Sequence, residues 1–117
     1  MKLRLEVGNS RITASVIDSG TARDFLSLLP LQLRMGDLHR REKCAHLPRP
    51  LSESGTLTKN YEVGDLAYRL PEGDIAVFYR HDGQTVPTGL ITIAKANSHL
   101  KALSAEGPVD VTIDLAK

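Results

Sequence analysis

Cysteine occurs once in the 117 residues, at Cys44. No intramolecular disulfide can form, which points to a reducing compartment, and a cytoplasmic protein is expected. No stretch approaches the roughly 20 consecutive apolar residues that a membrane helix needs. The first residues, Met1-Lys2-Leu3-Arg4-Leu5-Glu6, alternate in polarity and hold no apolar signal-peptide core. Charge of either sign is not in excess: 15 basic and 14 acidic residues give a formal charge of +1. That balance argues against nucleic acid as a partner, which would call for a basic face. The densest basic stretch, Arg34 to Lys43, is interrupted by Asp37 and Glu42 and reads as a solvated loop. Also missing are a phosphate loop, a dinucleotide-binding fingerprint, a zinc-protease helix and a serine or cysteine in a nucleophile motif. No cofactor is therefore expected.

What is present is strand-like alternation in short runs. Leu3, Leu5 and Val7 alternate with charged residues, Gly8-Asn9 supplies a tight turn, and Ile12, Ala14 and Val16 continue the alternation. The two runs read as a β-hairpin. Thr21 to Leu29 is helical in pattern, with Thr21 as cap, Asp24 as its capping-box partner, and Phe25, Leu28 and Leu29 on one face before Pro30 ends it. Such a short helix would plug an open end of the sheet. Leu31 to Met35 forms a third strand, with a turn at Gly36-Asp37, and Lys43 to Leu47 a fourth. Leu51 to Tyr61 reads as a long exposed loop. Leu66-Tyr68-Leu70 and Ala67-Arg69 divide a strand into two faces, and Ile75 to Arg80 is apolar enough to be buried on both. Leu90 to Ala94 is again strand-like. Asn97 to Ala105 suggests a second short helix, capped by Asn97 or Ser98. Val109, Val111, Ile113 and Leu115 mark the last strand, whose one-sided pattern matches the first and allows the two to pair. About eight strands at these spacings predict a mainly β protein: one domain spanning residues 1–117, a closed antiparallel barrel capped by one or two short helices.

Several segments in order carry a resemblance: Thr21-Ala22-Arg23-Asp24-Phe25 leading to Leu28-Leu29-Pro30-Leu31, Glu42-Lys43 leading to Leu47-Pro48-Arg49, Gly64-Asp65-Leu66-Ala67-Tyr68, Gly73-Asp74-Ile75-Ala76-Val77-Phe78-Tyr79, and Gly89-Leu90-Ile91. From Met1 to about Ala94 the chain resembles the prokaryotic cyclophilin-like fold proteins, small single-domain proteins for which no activity is established. The resemblance implies an eight-stranded barrel capped by short helices. It does not bring prolyl isomerase chemistry with it. True cyclophilins carry a Phe-His-Arg segment whose Arg polarises the prolyl amide, whereas the nearest combination here is Phe78-Tyr79-Arg80-His81, in another order.

The expected function is a binding module for a peptide or small ligand, with a weak peptidyl-prolyl isomerase, or a small enzyme using Arg80 and His81, as alternatives. Arg80 ends a buried strand and its planar fork suits a carboxylate or a peptide carbonyl. Tyr68 and Phe78 are candidates for a pocket mouth, or for ordinary core. Glu42 and Arg49 complete the candidate binding set with His81. On an extended segment Glu42, Cys44 and His46 share one side, a donor set that zinc accepts. Three ligands on one strand rarely converge on an ion, so no metal is expected there.

Overall fold

The computed structural model describes residues 1–97 and 100–116. Its strands are β1 (Lys2–Val7), β2 (Ser10–Val16), β3 (Leu31–Leu38), β4 (Glu42–His46), β5 (Leu57–Thr58), β6 (Asp65–Arg69), β7 (Asp74–Phe78), β8 (Leu90–Ala96) and β9 (Val109–Leu115). Helix α1 spans Gly20–Leu26, and a 3₁₀ turn spans Leu100–Ser104. The strands are joined in the order β2-β1-β9-β3-β4-β7-β6-β8, and pairing of β2 with β8 closes the ring. The two residues of β5 are added to the other side of β8. The molecule is thus a closed eight-stranded antiparallel barrel. Its first and last strands do pair, Leu5 lying opposite Ile113.

Alternation places the core. Leu3, Leu5, Ile12, Ile75, Ile93 and Ile113 are fully buried inside the ring, together with Phe25 of α1. At the tip of the first hairpin, Val7 pairs with Ser10 across the two residues Gly8-Asn9, and Gly8 adopts the positive φ that such a turn needs (+60°).

The helix starts one residue earlier than the pattern suggests. Ser19, not Thr21, is the cap, accepting the Ala22 N–H at 3.0 Å. Thr21 is fully buried: its hydroxyl donates to Ser52 O and accepts the Ser54 N–H. Asp24 accepts the Ser52 N–H and pairs with Arg49. The polar residues of α1 therefore tie down the segment that follows β4. That segment is not wholly exposed, because Leu51 and Tyr61 are buried.

Two further differences concern the ends of strands. Gly36 and Asp37 continue β3 and pair with Cys44 and Lys43. The reversal comes later, at His39 and Arg40, whose φ values are +58° and +52°. The second helix is reduced to the 3₁₀ turn at Leu100–Ser104, which buries Leu103, and Ser98 lies outside the described residues. Among the described residues no helix is long and apolar enough to cross a membrane.

Candidate functional site

A second hydrophobic cluster lies outside the ring. β6 and β7 bury side chains on both faces: Leu66, Tyr68, Ile75 and Val77 point inward, while Ala67, Ala76 and Phe78 join Tyr61, Val86 and Leu90 on the outer wall. The segments before β6 and after β7 fold over this wall. Tyr61 stacks on Phe78 with ring centroids 4.1 Å apart, and on His81 at 4.4 Å. Such stacking adds about 1 kcal/mol to the area that the rings bury.

Beside the stack lies a buried ionic network. Glu42 is fully buried at the start of β4, opposite Phe78 of β7. Its Oε2 accepts the Arg41 Nε–H at 2.8 Å and lies 2.6 Å from Arg41 Nη2. Its Oε1 accepts from Arg69 Nη1 at 2.9 Å and from the Cys44 thiol at 3.1 Å. One carboxylate thus holds two guanidinium groups. The balancing charge is Asp82, 3.4 Å from Arg41 Nη1. Arg41 also lies over the rings of Tyr61 (5.3 Å) and Phe78 (5.7 Å).

Asp82 is fixed by its neighbours. Its Oδ1 accepts the Gln84 N–H at 2.9 Å and the Tyr61 hydroxyl at 3.0 Å. The Gln84 bond, helped by Tyr61 and Arg41, holds its carboxyl below the usual range. Burial, and then the Glu42 charge, push the Cys44 thiol far up. A thiolate nucleophile at neutral pH is therefore excluded.

An open cleft of about 430 Å³ adjoins this network. Its lining includes His39, Arg41, Arg69, Glu72, Asp82 and Val86. A second groove of about 460 Å³ lies elsewhere on the wall, between Glu6 and Arg34, and among the described residues no buried cluster of aromatic and charged side chains backs it.

The model of the cyclophilin-like family matches residues 5–114. The chain belongs to the cyclophilin-like family. The solution structure of a hypothetical protein from Archaeoglobus fulgidus superposes on this cyclophilin-like chain with a TM-score of 0.78, covering 99% of it and 95% of the archaeal chain at 17% identity. At that identity the likeness is one of fold. No curated protein matches the sequence.

On this cyclophilin-like barrel the six candidate residues separate into groups. Phe78 and His81 stack on Tyr61, and Glu42 lies opposite Phe78 and holds Arg41 over the same rings. Arg80 is near but exposed, its guanidinium 3.3 Å from Arg40 O, and it does not line the cleft. Tyr68 is on the opposite face of the sheet, inside the ring, where its hydroxyl accepts the Leu51 N–H at 3.0 Å. Arg49 is also remote, held by Asp24 and Ser27 beside α1. Glu42 and Cys44 do share the outer face, but Glu42 is saturated by its arginines, and His46 is exposed and pairs with Asp74. Sequence reasoning does not single out Arg41, Tyr61 or Arg69 as site residues. The one signal for them is Arg41-Glu42, an ion-pairing dipeptide at the mouth of a strand, and a basic run conceals it.

Proposed function

We propose that this protein is a cytoplasmic binding module that takes a small ligand, or the side chain of a peptide, in the cleft beside Arg41 and Tyr61. The observation that carries the reading is the outer-wall cluster itself. Here a second core, with three aromatic or imidazole rings in a stack and an Arg–Glu–Arg network behind them, is built on one side of the ring beside an open cleft. Clefts with an apolar backing and a few convergent polar groups are the usual form of ligand sites.

Isomerase chemistry receives less support. A catalyst of prolyl rotation must stabilise the twisted amide against a barrier near ~20 kcal/mol, which calls for a free, aimed donor. Arg41, the arginine nearest the aromatic stack, has Nε and Nη2 committed to the buried Glu42, and its Nη1 faces the Asp82 carboxylate, which a neutral amide has no charge to displace. Arg80 faces a backbone carbonyl at the surface.

Native mass spectrometry of freshly purified protein, beside a Thr88→Trp variant, tests the binding reading. Thr88 is exposed and lines the cleft, so the indole narrows it without disturbing a buried group. The expected result is a retained small-molecule adduct in the parent that is lost in the variant. An adduct retained equally in both would place the ligand elsewhere.

A further inference from the structure

The ionic network leaves one seat filled from within. Glu42 spends both carboxylate oxygens on Arg41, Arg69 and Cys44. Two positive charges therefore share one buried negative charge, and the third member, Asp82, is held by Gln84 and Tyr61 through Oδ1 but only weakly paired with Arg41 through Oδ2. Its contact with Arg41 Nη1 is 3.4 Å long, against 2.6 Å and 2.8 Å for the Glu42 contacts. Asp82 belongs to the exposed segment after β7, whereas Arg41 is only 5% exposed and cannot follow it. Arg69 Nε is buried with no hydrogen-bond partner among the described residues, and Arg69 lines the same cleft.

Resting on the reading of this cleft as the binding site, we propose that its ligand carries a single carboxylate, and that in the ligand-free protein Asp82 occupies the carboxylate's place on Arg41. Glu42 holds Nε and Nη2 of Arg41, and the Tyr61 and Phe78 rings lie against its guanidinium, so Nη1 is pre-organised and a carboxylate arriving there loses little ordering entropy. The displaced Asp82 turns outward into water, where an ionised carboxylate is well solvated. The Tyr61 hydroxyl, released from Asp82, becomes a second donor to the ligand. A single carboxylate suits the cleft better than a polyanion, because Glu72 also lines it.

The test is an amide-resonance titration of the parent protein and Asp82→Asn with benzoate and with its neutral counterpart benzamide, at constant ionic strength. Asparagine keeps the acceptor oxygen for the Gln84 and Tyr61 bonds, so the variant folds. Benzoate is expected to shift the resonances of Arg69, Gln84, Thr85 and Thr88 and to bind about two- to fivefold more tightly to Asp82→Asn, the size of one partly exposed ion-pair contact. Benzamide affinity is expected to stay the same in the two proteins. Benzoate affinity that is unchanged or weaker in Asp82→Asn overturns the carboxylate assignment. If benzamide then occupies the cleft as well as benzoate does, the binding reading stands without it. If both probes shift only residues elsewhere on the barrel, both readings fall.

Discussion

Glu42 is the shared anion of the ionic network on the outer wall. It is fully buried and faces two arginines, so removing its charge leaves two largely buried guanidinium groups without their shared carboxylate. Breaking such a buried pair from one side typically costs about 3–5 kcal/mol. Glu42→Ala is expected to lose that much in urea unfolding, and a loss below ~1 kcal/mol would show that the network is solvated. Asp37 is a second such residue, at the other end of the charged run. Burial pushes its pKa up, but bonds from the Tyr79 hydroxyl (2.5 Å), Lys43 and the Arg40 N–H outweigh this, leaving its carboxyl below the ordinary 3.8. A lowered folded-state pKa stabilises the fold above the unfolded value, and that stability disappears as the pH falls through the folded value. Asp37→Asn should therefore be less stable than the parent at neutral pH and lose less further stability below about pH 4, as seen in denaturation midpoints against pH. Neither the full burial of Glu42 nor the partial burial of Asp37 could be recognised from the sequence. A run such as Arg40-Arg41-Glu42-Lys43 is normally solvated. Here Arg41, Glu42 and Lys43 are covered by distant segments, Lys43 by the carbonyls of Ala105 and Gly107. No local period records such coverage.

At the scale of the element, the strands followed from alternation because one face of each meets the barrel core. Their ends were harder to place, for a physical reason. Gly36-Asp37 has turn composition, yet both residues are held in β3 by pairing with β4, and the actual turn uses His39 and Arg40, neither a turn-former by preference. The helix cap shows the same competition. Ser19 and Thr21 are both cap residues by type, and the Ser52–Ser54 segment claims the hydroxyl of Thr21. Ser19→Ala is expected to cost about 1 kcal/mol in thermal or urea unfolding. Gly64 makes a sharper case. Its φ is +100°, and a Cβ there would lie 2.3 Å from the backbone carbonyl oxygen of Ala96, at the crossing of β6 and β8. Gly64→Ala should cost at least about 2 kcal/mol, and an unchanged melting temperature would contradict the close approach.

For the molecule as a whole, the closed ring was legible and the outer core was not. One-sided alternation in β1, β2 and β9 points to a single interior. The two-sided burial of β7 was visible as an uninterrupted apolar run, but what covers its second face comes from Tyr61 and Val86, each in a stretch with the composition of a loop. The split of Tyr68 from Phe78 follows from the same two-sidedness: in a strand buried on both faces, apolar character alone does not say which way a ring points. The proposed ligand cleft lies on this outer wall of the barrel. The most direct measurement is amide-resonance mapping of the parent protein with a panel of small polar and aromatic fragments. The shifted resonances should cluster at His39, Arg41, Arg69 and residues 82–88. Shifts concentrated in the groove between Glu6 and Arg34, with residues 82–88 unmoved, would contradict it.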